Sequence, residues 1–129
     1  MVESAKVLII DDDEVMLDVL EVMIAQRGYT CVRATSYENA MESVKRNNFA
    51  FIIADIFMAG MGGIEGIRQI KRLDPFIPVM AVSGGWDSMS AEKTVEAAQA
   101  VGADTGLAKP FSTESFTEAF DRLRESSIT

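Results

Sequence analysis

The chain has 129 residues, 48% hydrophobic and 25% charged, and carries a net charge of −8 at pH 7. This is the size and balance of one globular domain, able to bury a core without disulfide staples. An acidic surface repels phosphate backbones and anionic lipids, so nucleic acid and membrane surfaces are not expected partners, and the short apolar runs lie beside charges, which excludes a transmembrane span.

Met1 to Lys6 is polar and lacks the basic region and long apolar stretch of a signal peptide, so a cytoplasmic location is expected. Val7 to Ile10 is a short apolar run closed by acids, the pattern of a strand buried on both faces. Asp13 and Glu14 suit the N-cap and first turn of a helix over Val15–Arg27. Its apolar period is read at Val15, Val19, Val22, Met23 and Ala25, and Gly28 stops it. Thr30–Ala34 is β-rich and holds Cys31, the one cysteine, expected as a buried reduced thiol. Ser36 caps a second helix through Val44 that ends near Asn47 and Asn48. Phe49–Ala54 is a second apolar run and ends in Asp55. A glycine-rich loop, Ala59–Gly63, leads to an amphipathic helix over Ile64–Leu73, closed by Asp74-Pro75. Ile77–Val82 is a third apolar run, ending at Ser83 with Gly84 and Gly85 behind it. A helix from about Ser90 to Val101 is closed by Gly102. Thr105–Ala108 is a short strand ending at Lys109-Pro110, and Ser112 or Thr113 caps a last helix through about Glu125.

Strands and helices alternate five times, which predicts an α/β fold with a parallel sheet covered by helices on both faces. In such a sheet, sites form outside the carboxyl ends of the strands. Asp11, Asp12, Asp55, Ser83 and Lys109 all sit at such ends and so belong to one small region. Three carboxylates together repel one another and need protonation, a cation or the Lys109 ammonium. An oxygen-only set at an open-sided site favours magnesium. A hydroxyl and an ammonium suit phosphoryl oxygens, and an aspartate beside a metal can be the nucleophile that forms an acyl phosphate. No histidine is present. Ser-His-Asp and Cys-His systems, His-ligated zinc and a histidine general base are therefore excluded.

The segments Val7-Leu8-Ile9-Ile10-Asp11-Asp12-Asp13, Ile52-Ile53-Ala54-Asp55-Ile56-Phe57-Met58, Val79-Met80-Ala81-Val82-Ser83-Gly84-Gly85 and Leu107-Ala108-Lys109-Pro110-Phe111 together resemble the receiver domain of two-component response regulators. Each is weak alone; all four in order, across nearly the whole chain, are specific. The resemblance implies a CheY-like, flavodoxin-like doubly wound sheet of five parallel strands in the order 2-1-3-4-5. It implies Asp55 as phosphoacceptor, magnesium held by Asp11, Asp12, Asp55 and the main-chain carbonyl of Phe57, and Ser83 and Lys109 on the phosphoryl group. It also implies phosphorelay signalling. The donor would be a phosphohistidine on a sensor histidine kinase or histidine phosphotransfer protein, and an unidentified downstream protein would read the outcome. Pro110 is expected to follow a cis bond. The whole chain, 1–129, is expected to be one receiver with a core of about 5–126 and no output domain. Its only turnover would be of its own phosphoryl group, and a homodimer is left open.

The chain departs from the family pattern at four places. Ala59 replaces a proline usual after the acceptor, and Gly62 replaces an acid or amide, both of which loosen the loop. Gly106 stands where relatives often carry an aromatic switch, so phosphorylation would have to be signalled by another route. The stretch after Ser83 is a few residues longer than usual and includes Trp86, which suits a mobile lid or docking point as well as a loop with Trp86 folded onto the body. Two rival readings remain open at this point. Asp11-Asp12-Asp13-Glu14-Val15 also satisfies the signature of haloacid-dehalogenase-like phosphatases, with Asp11 as nucleophile and Asp13 as acid/base. Alternatively, the chain is a receiver-like interaction module that is not phosphorylated.

Overall fold

The computed structural model describes residues 5–56, 58, 62–84, 90–100 and 102–126. Strands β1 (Lys6–Ile10), β2 (Thr30–Ala34), β3 (Phe51–Asp55), β4 (Val79–Gly84) and β5 (Thr105–Lys109) alternate with helices α1 (Glu14–Ala25), α2 (Tyr37–Arg46), α3 (Gly63–Leu73), α4 (Ala91–Ala100) and α5 (Thr113–Ser126). All four strand pairings are parallel, in the order β2-β1-β3-β4-β5. The expected fold is therefore the observed one.

Alternation along the strands divides the core in two. Leu8, Ile10, Ile52, Ala54, Val79 and Ala81 face a cluster completed by Tyr37, Met41, Ile67 and Ile70 of α2 and α3. Val7, Ile9, Phe51, Ile53, Met80, Val82 and Leu107 face the opposite cluster, with Leu17, Leu20 and Ile24 of α1 and Phe116, Phe120 and Leu123 of α5. Burying both faces removes the need for a polar face on any central strand, which is why these runs are apolar throughout.

The helix starts follow their caps. Asp13 accepts from the Val15 amide at 3.0 Å and Ser36 from the Asn39 amide at 3.1 Å. Ser112 is the cap of α5, and the bond is reciprocal: its Oγ accepts from the Ser115 amide at 3.0 Å while Ser115 Oγ accepts from the Ser112 amide at 2.9 Å. Gly28 and Gly102 take φ of 88° and 126° where α1 and α4 stop, a conformation that Cβ-bearing residues rarely adopt.

Two expectations are corrected. The valine stripe of α1 faces outward: Val15, Val19 and Val22 are 70%, 43% and 58% exposed, and Leu17, Leu20 and Ile24 are buried instead. Glu14–Ala25 is apolar nearly all round, so two stripes compete, and the bulkier leucine and isoleucine side chains bury more area. β4 begins at Val79, not Ile77. Pro78 has no N–H for the ladder; its carbonyl accepts from the Ile52 amide at 3.0 Å, and the Val79 amide is taken by the Asp104 carboxylate at 2.8 Å. Cys31, expected to be buried, is only half-buried, in the edge strand β2, and it is free. Among the described residues no helix is long and apolar enough to cross a membrane.

Candidate functional site

Parallel pairing brings the polar strand ends to one edge. Ile10 is in register with Ala54, Asp55 with Val82, and Gly84 with Lys109. Asp11, the residue after β1, is 1% exposed, and Asp55, the last of β3, is 6% exposed. Between them lies the Lys109 ammonium, 3.2 Å from Asp11 Oδ2 and 3.1 Å from Asp55 Oδ2. The other oxygen of Asp11 accepts from the Asp13 amide at 2.9 Å, an Asx turn that fixes this carboxylate before α1 begins. Asp12 is exposed at the rim, and one oxygen each from Asp11, Asp12 and Asp55 lie within 4.8 Å of one another.

That spread is slightly wider than the roughly 4.2 Å across a magnesium octahedron, and the ligands are all oxygens. Three carboxylates against one ammonium leave the cluster two charges negative, which a divalent cation would balance. The donor set thus fits a hard cation. The Asp11 carboxyl is held above its ordinary pKa, first by burial and further by Asp55; the Asp13 amide and Lys109 oppose this. Burial works against the Lys109 ammonium, but the facing Asp55 and Asp11 carboxylates outweigh it and leave its pKa raised.

Ser83 is fully buried, and its hydroxyl donates to the Gly84 carbonyl at 2.9 Å. It lies at the same edge with its hydroxyl turned along its own strand. Phe57, Ala59, Val101 and the stretch 85–89 with Trp86 fall outside the described residues. The Lys109–Pro110 bond is cis. Gly62 precedes α3 with no side-chain cap bond, and Gly106 lies in β5 in register with Ala81.

A residue that the sequence reading passed over also reaches the site. The hydroxyl of Tyr37, the first residue of α2, donates to the main-chain carbonyl of Asp55 at 2.6 Å. Burial, with Asp55 and Asp11 nearby, raises its pKa far above the ordinary phenol value and keeps it a donor. The sequence signal is Gly66, a glycine in the interior of a helical run, where it costs helix stability and so calls for a packing reason.

The family model of the response regulator receiver domain matches residues 7–121. The chain belongs to the response regulator receiver family. The receiver is 34% identical over 119 residues to the transcriptional regulatory protein ZraR of Salmonella typhimurium, matching 92% of this chain and 24% of ZraR. Its curated relatives are longer than it is: it spans 10% of the sensor kinase/phosphatase LuxN of Vibrio campbellii. In structure it is similar to the chemotaxis response regulator CheY4 of Vibrio cholerae, with a TM-score of 0.81 and 27% identity over 94% of this chain and 99% of that one. A response regulator from Burkholderia pseudomallei, solved with a phosphorylated aspartic acid, a calcium ion and citrate, gives a TM-score of 0.76 at 28% identity over 90% and 66% of the two chains. Membership of this family, together with the use of Asp13 as the cap of α1, sets the phosphatase reading aside.

Proposed function

We propose that this receiver accepts a phosphoryl group on Asp55 in a magnesium-dependent reaction and signals by altered partner binding. One observation carries the reading: the Lys109 ammonium bridges the buried carboxylates of Asp55 and Asp11, with Asp12 at the open side. The phosphorylated aspartate and calcium ion of the Burkholderia neighbour support the same assignment. Asp11, Asp12, Asp55 and the Phe57 main-chain carbonyl would hold the magnesium, which when bound supplies positive charge against phosphoryl oxygens.

A carboxylate oxygen of Asp55 provides the electron pair for the new P–O bond. The P–N bond of a donor phosphohistidine breaks, and its electron pair stays on the imidazole nitrogen, which takes a proton from solvent. Lys109 meets the charge on the transferred group. Ser83 donates to a phosphoryl oxygen once its hydroxyl turns from the Gly84 carbonyl. Both act in a partly buried site, where such contacts are stronger than in water. No histidine lies in these 129 residues, so the donor histidine belongs to a kinase or phosphotransfer domain outside them. The domain, 1–129 with a core of about 5–126, is a cytoplasmic signalling module whose only turnover is of its own phosphoryl group.

Incubation with acetyl phosphate, followed by intact mass, tests this. The wild type should gain one phosphoryl group with magnesium and none with chelator, and Asp55→Asn should gain none. Equal uptake by Asp55→Asn would overturn the assignment; no uptake by the wild type would favour the non-phosphorylated interaction module.

A further inference from the structure

We infer that Tyr37 is a positioning residue for the acceptor, its hydroxyl fixing the peptide unit that follows Asp55. This rests on the phosphoacceptor reading of Asp55. The β1–β3 ladder ends at the Ile10–Ala54 pair, so Asp55 lies one residue beyond it. Tyr37 acts where that support stops. Its hydroxyl donates to the Asp55 carbonyl at 2.6 Å, and the N–H of the same peptide unit, that of Ile56, donates to the Val82 carbonyl at 3.1 Å. Both poles of one peptide plane are thereby held, one from α2 and one from β4. The next carbonyl, of Ile56, accepts from the Gly63 amide at 3.2 Å, which draws the chain leaving the acceptor back onto the start of α3.

The ring is placed as deliberately as the hydroxyl. Tyr37 is 1% exposed and sits directly behind the Ser36 cap. A Cβ on Gly66 of α3 would overlap the Cγ, Cδ1 and Cε1 atoms of the ring. The missing side chain at Gly66 is what lets the ring lie against α3 and present its hydroxyl to β3. A buried hydroxyl needs some partner. Here the partner is the carbonyl of the reacting residue, and a displacement of about 1 Å at a reacting group can cost up to about a hundredfold in rate.

Tyr37→Phe keeps the ring and removes only the hydroxyl; Gly66→Ala pushes the ring instead. Amide hydrogen exchange and acetyl phosphate kinetics with magnesium are measured on both. In each variant exchange at Ile56 and Gly63 should rise by at least about fivefold, the effect of one lost hydrogen bond, with Leu8 and Met80 unchanged. The maximal rate of Asp55 phosphorylation should fall by about five- to tenfold at an unchanged half-saturating donor concentration. Exchange that rises equally throughout the sheet, or not at all, overturns the inference, as does an unchanged maximal rate. Should the wild type take no phosphoryl group, the phosphoacceptor reading fails by itself. The exchange pattern then still decides: a rise confined to Ile56 and Gly63 supports Tyr37 as the group that holds this peptide, and any other pattern overturns it.

Discussion

Lys109→Met removes the cation that lies between the buried carboxylates of Asp11 and Asp55. At 3.1 and 3.2 Å, with an effective dielectric of about 20, each attraction is worth about 5 kcal/mol before desolvation. Burial of the ammonium offsets much of this, yet its raised pKa shows that the charged form is favoured on balance. Breaking a fully buried pair costs about 3–5 kcal/mol. The Lys109 side chain is 21% exposed, so a loss of about 2–3 kcal/mol is expected in chelator, a fall of between about 1 and 2 M in the urea midpoint. The gap should hold from neutral pH to about 10 and close above it, because a raised lysine pKa contributes stability below the unfolded value of 10.5 that is lost as pH rises through the folded value. Magnesium should change the comparison. At about a hundred times its dissociation constant it adds about 2.7 kcal/mol to the form that binds it, and without a competing ammonium the variant should bind it more tightly. Urea unfolding of both proteins in chelator and in magnesium measures this. An equal gap in the two conditions, or none in chelator, would refute charge balance as the role of Lys109.

Gly62 and Gly63 should respond in opposite directions. Gly62 has φ −68° and ψ 152°, and nothing lies within 4 Å of a Cβ built there. Gly62→Asn should therefore add about 0.5–1 kcal/mol by supplying a cap and stiffening the unfolded chain, seen as a higher urea midpoint. Gly63→Ala should cost about 1–3 kcal/mol in the same assay, since its Cβ would overlap the backbone of Ile56. Burial, with Glu21 adding to it and Arg33 opposing, pushes the Cys31 thiol from 9.0 up to about 11. Alkylation at pH 8 should be about a hundredfold slower than that of an unshifted thiol and accelerate only towards pH 11. The same shift removes stability between pH 9 and about 11 and not below.

The central strands β1, β3 and β4 were legible because burial on both faces demands apolar runs, and each of these runs gives way to a polar residue. Parallel topology then puts every such residue at one edge, which makes Asp11, Asp55, Ser83 and Lys109 readable as neighbours from the sequence. Caps were legible for the same local reason, as Asp13 and Ser36 bond within their own turns. Long-range choices were not. The apolar period alone does not separate the Val15–Val19–Val22 stripe of α1 from the Leu17–Leu20–Ile24 stripe; only side-chain bulk tips the choice. The start of β4 depends on Asp104 replacing a strand partner at Val79. Tyr37 reads as ordinary core because its hydroxyl finds its acceptor eighteen positions away, across two elements. The Ser83 hydroxyl could point along its strand or into the site, and only the packed structure distinguishes the two.

The most direct measurement is the position of the phosphoryl group. The protein is phosphorylated with acetyl phosphate and magnesium, the acyl phosphate is reduced with borohydride, and the modified residue is located by peptide sequencing. Modification of Asp55 alone is the expected result. A label on Asp11, or on neither aspartate, would contradict the assignment of Asp55 as acceptor.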